Sequence, residues 1–153
     1  MSYTNLLYHI VYATKERAPL ITKTLRPRLH EYLGGTARGL DGTALEINGT
    51  IMFTFAKLRP TISVSEFLSK LKSGSSGWAK RQTAGRFGWQ ARYGAFTVSE
   101  SQVERVRKYI RNQEENHRKV FPRLGCLARS YILTPASAGS LNADIQLGLG
   151  SIK

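Results

Sequence analysis

Residues 44–58 read ALEINGTIMFTFAKL, and their interpretation fixes the architecture on either side. Asn48-Gly49 is the two-residue signal for a tight β-hairpin turn, because both central positions of that turn need positive φ and these residues adopt it at least cost. A short strand over 44–47 and a returning strand over 51–58 follow. In the second, Ile51, Phe53 and Phe55 alternate onto one face, as a strand with one buried side requires.

The hairpin lies between two helical stretches. Upstream, Thr24 starts a segment in which Leu25, Leu29, Tyr32 and Leu33 share a face. Pro27 falls in its first turn, where no backbone donor is lost. Gly34, Gly35, Gly39 and Gly42 blur its end. Downstream, Arg59-Pro60 stops the strand and Ser63 offers a cap for a second helix carrying Phe67, Leu68, Leu71 and Trp78. Gly74 and Gly77 weaken its middle by up to about 1 kcal/mol each relative to alanine. Lys70, Lys72, Lys80 and Arg81 make its outer face basic.

Further out, residues 3–14, YTNLLYHIVYAT, are rich in β-branched and aromatic residues and read as a central strand, closed by a polar turn over 15–19. Residues 84–94, AGRFGWQARYG, mix aromatics with arginine between glycines; such a loop either clamps a nucleotide or folds back on the sheet. A last strand over 95–99 leads into 99–118, SESQVERVRKYIRNQEENHR. Ser99 and Gln102 have capping-box spacing. Val103, Val106 and Ile110 form a narrow apolar stripe, with Arg105, Lys108 and Arg111 on the other side. Tyr109 and Gln113, four apart, stand one above the other beside that stripe; periodicity alone makes Tyr109 a packing residue. The order strand, helix, hairpin, helix, strand predicts an α+β, ferredoxin-like fold: a four-stranded antiparallel sheet with helices on one face. The last helix, carrying the tyrosine, is an addition at the C-terminal side.

The 153-residue length suits one domain, and 41% hydrophobic residues is ordinary for a globular chain. No apolar run is long enough for a membrane span and no signal peptide is indicated, so the expected compartment is the cytoplasm and no membrane partner is expected. Cys126 is the only cysteine, which excludes an internal disulfide and a cysteine-rich zinc site. Twenty-three Lys+Arg against 10 Asp+Glu give a formal charge of +13, the mark of a polyanionic partner. Beyond Val120 only Arg123, Arg129, Lys153 and Asp144 are charged, so the basic surface belongs to residues 1–119. The remainder, 120–153, has scattered leucines without period and is expected to be an irregular tail.

Several separate strings resemble the small single-tyrosine transposases of bacterial insertion sequences, the TnpA type of the HUH nucleases (the IS200-like family). YHIVYATKERAPLI at 8–21 is similar to the family's opening strand and turn, LRPRLHEYLGG at 25–35 to its first helix, and LRPTISVSEFLSKLKSGSSGWAK at 58–80 to its second. FGWQARYGAFTVSESQVERVRKYIRNQEENHRK at 87–119 resembles the stretch carrying the nucleophile. The resemblance places Tyr109 on the catalytic tyrosine and Gln113 on a metal-ligand position. It implies attack of a phenolate on a phosphodiester of single-stranded DNA, leaving a phosphotyrosine link and a free 3′ hydroxyl, with a divalent metal, Mg or Mn, polarising the phosphate. It also implies hairpin ends of a mobile element as substrate, and a homodimer in which each final helix serves the partner's site.

The family's two histidines around one hydrophobic residue, on the strand after the hairpin, have no counterpart here. Ile51 and Phe53 occupy their positions. His9, His30 and His117 are each expected to be packing or surface residues, so the metal is not expected to bind. The leading expectation is thus a transposase-family protein that keeps a DNA-binding surface, through Lys70, Lys80, Arg86, Arg92, Arg105 and Arg111, but is impaired in strand cleavage. Two alternatives remain: an active transposase with unusual metal ligands, and a small basic RNA-binding or ribosome-associated protein. The genetic code offers a route to the loss. GAT CAT GTT CAC TTT CGC encodes Asp-His-Val-His-Phe-Arg, and one nucleotide later ATC ATG TTC ACT TTC GC encodes Ile-Met-Phe-Thr-Phe-Ala, the sequence of residues 51–56.

Overall fold

Gly49 makes the hairpin turn at φ +93°, where a Cβ would collide with the carbonyl oxygen of Ile51. The computed structural model describes residues 2–49 and 51–112. Expectations placed on Gln113, His117, the end of the last helix and the 120–153 tail lie outside the described residues.

The chain runs β1 (Leu6–Tyr12), α1 (Leu25–Gly39), β2 (Gly42–Asn48), β3 (Met52–Leu58), α2 (Val64–Gln82), β4 (Gly94–Thr97) and α3 (Val103–Arg111), with 3-10 turns at Lys15–Arg17 and Glu100–Gln102. The sheet order is β2-β3-β1-β4, antiparallel throughout. This is the expected ferredoxin-like arrangement, with β1 and β3 central.

Several boundaries move. β1 is shorter than 3–14, and Ile51 belongs to the turn, so β3 starts at Met52. β2 begins earlier, at Gly42, because the absent side chain lets α2 approach: a Cβ there would lie 2.9 Å from the Phe67 ring. The β2–β3 register shifts between Ala44 and Glu46, placing a bulge at Leu45. α1 continues through Gly34 and Gly35, and α2 through Gly74 and Gly77. Tertiary burial of one face outweighs the propensity loss. Ser63 caps α2 by accepting from the Glu66 amide at 3.1 Å.

Strand alternation divides the interior in two. On one face Ile10, Tyr12, Met52, Ala56 and Leu58 pack under Leu29, Leu33, Phe67, Leu68 and Leu71 from α1 and α2. On the other, Leu7, Val11, Phe53 and Phe55 pack under Val106 and Ile110 of α3. Both faces of the sheet are therefore covered, and the added helix is the second cover.

Candidate functional site

The capping box at the entry to α3 does not form. The chain first makes the 3-10 turn, in which the Gln102 amide donates to the Ser99 carbonyl at 3.0 Å. The Ser99 hydroxyl lies 3.1 Å from that of Ser101, and the Gln102 side chain accepts from Arg105 at 3.4 Å. The tighter turn thus leaves both capping side chains with other partners. It is tied to the start of the chain by Asn5, whose amide donates to the Glu100 carboxylate.

The far end of α3 is held by the hairpin. Asn48 donates from its side-chain amide to the carbonyls of Ile110 and Arg111, each at 2.8 Å, satisfying acceptors left open at a helix C-terminus. The Glu46 carboxylate pairs with Arg111 at 3.1 Å and with Arg107 at 3.7 Å. Tyr109 is consequently presented to its own sheet.

There the half-buried Tyr109 ring meets His9 edge-on, centroids 6.2 Å apart, and Phe53 at 6.3 Å. His9 stacks on Phe53 at 5.8 Å and leans on Phe96 at 6.4 Å. Register explains the cluster: Phe55 and Phe96 stand opposite His9 on the flanking strands and Phe53 stands opposite Val11, so all share the α3 face. Burial pushes His9 down to about 4, which keeps its imidazole neutral at pH 7. Its Nε2 is buried without a hydrogen-bond partner.

These residues do not fit a divalent metal. Among the described residues no three His, Cys, Asp or Glu side chains gather in a possible metal-binding group. The rings that meet Tyr109 are those of His9 and Phe53, and of these only the imidazole is a possible ligand. Sequence reasoning counted His9 as packing and did not place it beside the tyrosine. The signal was present in its spacing from Leu7 and Val11, but only the register with β3 says what lies across from it.

The six basic candidates do not form one patch. Lys70 and Lys80 lie on α2, Arg105 and Arg111 on α3 across the sheet, and Arg86 and Arg92 in the loop between α2 and β4. Lys70 is paired with Glu66 at 2.8 Å, and Arg111 with Glu46. Lys80, Arg86 and Arg92 are exposed. The 84–94 loop does fold back: the Gln90 amide donates to the Ala13 carbonyl at 2.8 Å and Thr14 bridges to Trp89. No helix among the described residues is long and apolar enough to cross a membrane.

The family model described as "Transposase IS200 like" matches residues 2–113. No curated protein matches the chain. Among solved structures, a protein of Deinococcus radiodurans R1 assigned as a transposase superposes with a TM-score of 0.57 at 21% identity, over 73% of this chain and 93% of that one. A REP-associated tyrosine transposase bound to a REP hairpin gives a TM-score of 0.56 at 14% identity, over 90% of this chain and 93% of that one. These likenesses show the shared fold, and the family match covers all the described elements: the chain belongs to the IS200-like transposase family.

Proposed function

We propose that this transposase-family protein binds single-stranded DNA at hairpin ends of a mobile element, as a homodimer, and does not cleave it by the metal-dependent tyrosine mechanism. The observation that carries the proposal is Phe53 beneath Tyr109, where the family resemblance calls for an imidazole ligand. Tyr109 keeps the position of a nucleophile. Without a metal, however, the phosphate it would attack is not polarised. Gln113, at the remaining ligand position, would bring one neutral amide oxygen, too weak to hold a catalytic divalent ion alone.

Binding is supported by the +13 charge and by the exposed cations of α2 and its loop. The hairpin bound by the REP-associated structure makes folded single-stranded DNA the first ligand to try. The RNA-binding alternative is less well supported, because ferredoxin-like RNA readers stack bases on an open sheet and here α3 covers that face. Fluorescence anisotropy with a hairpin DNA, the corresponding duplex and an RNA hairpin, each with and without EDTA, tests the reading. The expected order is hairpin DNA tightest, with no effect of EDTA. Tighter RNA binding would favour the alternative, and a loss of affinity in EDTA would restore a metal to the account.

A further inference from the structure

On the side of the sheet away from Tyr109, α2 and the loop that follows it enclose a cleft of about 370 Å³. We infer that this cleft receives one unpaired nucleobase of the bound strand, with Tyr93 as its stacking surface; the inference rests on the single-stranded DNA reading above.

Both ends of the loop are fixed. At one end Trp89 donates from its indole N–H to the Ser75 hydroxyl at 2.8 Å and packs edge-on against Tyr12 and Phe87, at 5.1 and 4.8 Å. At the other, the Lys72 ammonium donates to the carbonyls of Gln90, Ala91 and Arg92, at 2.8, 3.4 and 3.1 Å. The same ammonium lies over the rings of Tyr12 and Tyr93, at 5.7 and 5.5 Å. Lys72 therefore spends its donors on shaping the loop and on holding Tyr93. The wall is preorganised, which lowers the ordering cost of any ligand it takes.

The chemistry of the lining selects the ligand. Tyr93 is 37% exposed and, with Tyr3, is one of two large hydrophobic side chains left open among the described residues. Ser69, Ser73 and Ser76 of α2 line the same cleft, together with Gln90. Hydroxyls and an amide can donate to or accept from the edge of a base while a tyrosine ring covers its face. No carboxylate lines the cleft, and Arg92, exposed and next in sequence to Tyr93, adds a positive charge to the same loop. The volume is at the low end of small-ligand pockets, about 300–1,000 Å³, which suits a single nucleotide. Lys72 lies over Tyr12, whose ring belongs to the α1–α2 face, so this site is separate from the Tyr109 cluster.

The test is photo-crosslinking of the full chain to a DNA hairpin oligonucleotide carrying 5-iodo-deoxyuridine in place of thymidine in its unpaired segment, with adducts mapped by peptide mass spectrometry. Adducts at Tyr93 or Trp89 are expected. Tyr93→Ala should lose them and weaken binding roughly 5- to 150-fold, the range for one lost base-stacking contact, while Tyr93→Phe should keep both. Ser73→Phe, which fills the cleft from an exposed helix position, should weaken binding as Tyr93→Ala does. If the oligonucleotide binds but crosslinks only to Phe53, Phe96 or Tyr109, or if Tyr93→Ala and Ser73→Phe bind as tightly as the parent, this inference falls and the DNA-binding reading stands. If no oligonucleotide binds, both fall.

Discussion

The ring of Tyr109 stands edge-on to the ring of Phe53, centroids 6.3 Å apart and planes at 82°. A nucleophile of this type needs a polarised phosphate and a stabilised phenolate, and an aromatic edge provides neither. The purified protein is therefore expected to form no covalent adduct with labelled hairpin DNA in Mg or Mn. Denaturing electrophoresis would show one directly. An adduct that disappears in Tyr109→Phe would establish cleavage and overturn the proposed loss.

The second prediction concerns how α3 is held. Asn48 uses both ends of its amide: its oxygen accepts from the Gly49 amide at 2.8 Å and its nitrogen donates to the two α3 carbonyls. Asn48→Ala should destabilise the protein by about 1–3 kcal/mol, because those acceptors lose a partner in a partly buried place. Asn48→Asp should be worse, although it is nearly the same shape and suits the turn. It would aim a carboxylate at two carbonyl oxygens and at the negative end of the helix dipole. Urea denaturation ranks the two variants, and hydrogen exchange should report faster opening in α3 than in α2.

What could be read from the chain alone follows the range of the forces involved. The hairpin marked by Asn48-Gly49, the Ser63 cap and the Val106/Ile110 stripe are local and are present, although Asn48 ends β2 and of the two turn residues only Gly49 takes positive φ. Ser99 was misread because capping-box spacing does not reveal a competing 3-10 turn. The face that α3 covers, the neighbours of His9 and the Trp89–Ser75 bond depend on strand register and on contacts between distant elements. Composition indicated a polyanion but not that the six chosen cations divide between the two sides of the sheet. Ile51 and Phe53 were legible as departures from the pattern that the resemblance implies; the packing of Phe53 against His9 and Tyr109 was not.

His9 gives a pH prediction with a defined sign. Its folded-state pKa is near 4 and its unfolded value near 6.5, so between these the unfolded chain binds the proton more readily. Stability conferred by the neutral imidazole is complete above about pH 6.5 and is lost as pH falls toward 4, by at most about 3 kcal/mol. Carboxylates titrate in the lower part of this window, so the comparison must be with His9→Phe. The difference in urea midpoint between parent and variant should shift in favour of the variant as pH falls from 7 to 4. A difference independent of pH would mean that burial does not control this group.

Salt dependence should separate the basic residues by their surroundings. Neutralising about five phosphates of a single strand gives a slope near −3.5 in log affinity against log salt. Replacing Lys80, Arg86 and Arg92 together by alanine should reduce the slope by about 2. The corresponding triple change at Lys70, Arg105 and Arg111 should have a smaller effect, because Lys70 and Arg111 already pair with Glu66 and Glu46 and Arg105 donates to Gln102. Equal effects would show that these contacts open on binding and that DNA reaches both sides of the sheet.

The last prediction is about the gene. Residues 51–56 are Ile-Met-Phe-Thr-Phe-Ala, and the same nucleotides read one position earlier can encode the Asp-His-Val-His stretch that the resemblance calls for. A local frame change restored before Lys57, which takes two compensating length changes, would exchange the polar ligands for apolar residues together. The fold can absorb that exchange because both faces of β3 need apolar or small side chains. Phe53 and Phe55 fill the α3 side, Met52 and Ala56 fill the other, and all four are at most 2% exposed. Thr54 is the one polar residue buried among them, and its hydroxyl lies 3.3 Å from that of Tyr12, so it brings no unsatisfied group into the core. A second frame change would likewise account for the loss of family character after Val120. Sequencing the DNA 5′ of the Lys57 codon decides the matter: the shifted frame should spell the histidine stretch, and codons that do not would leave Ile51 and Phe53 to separate point substitutions.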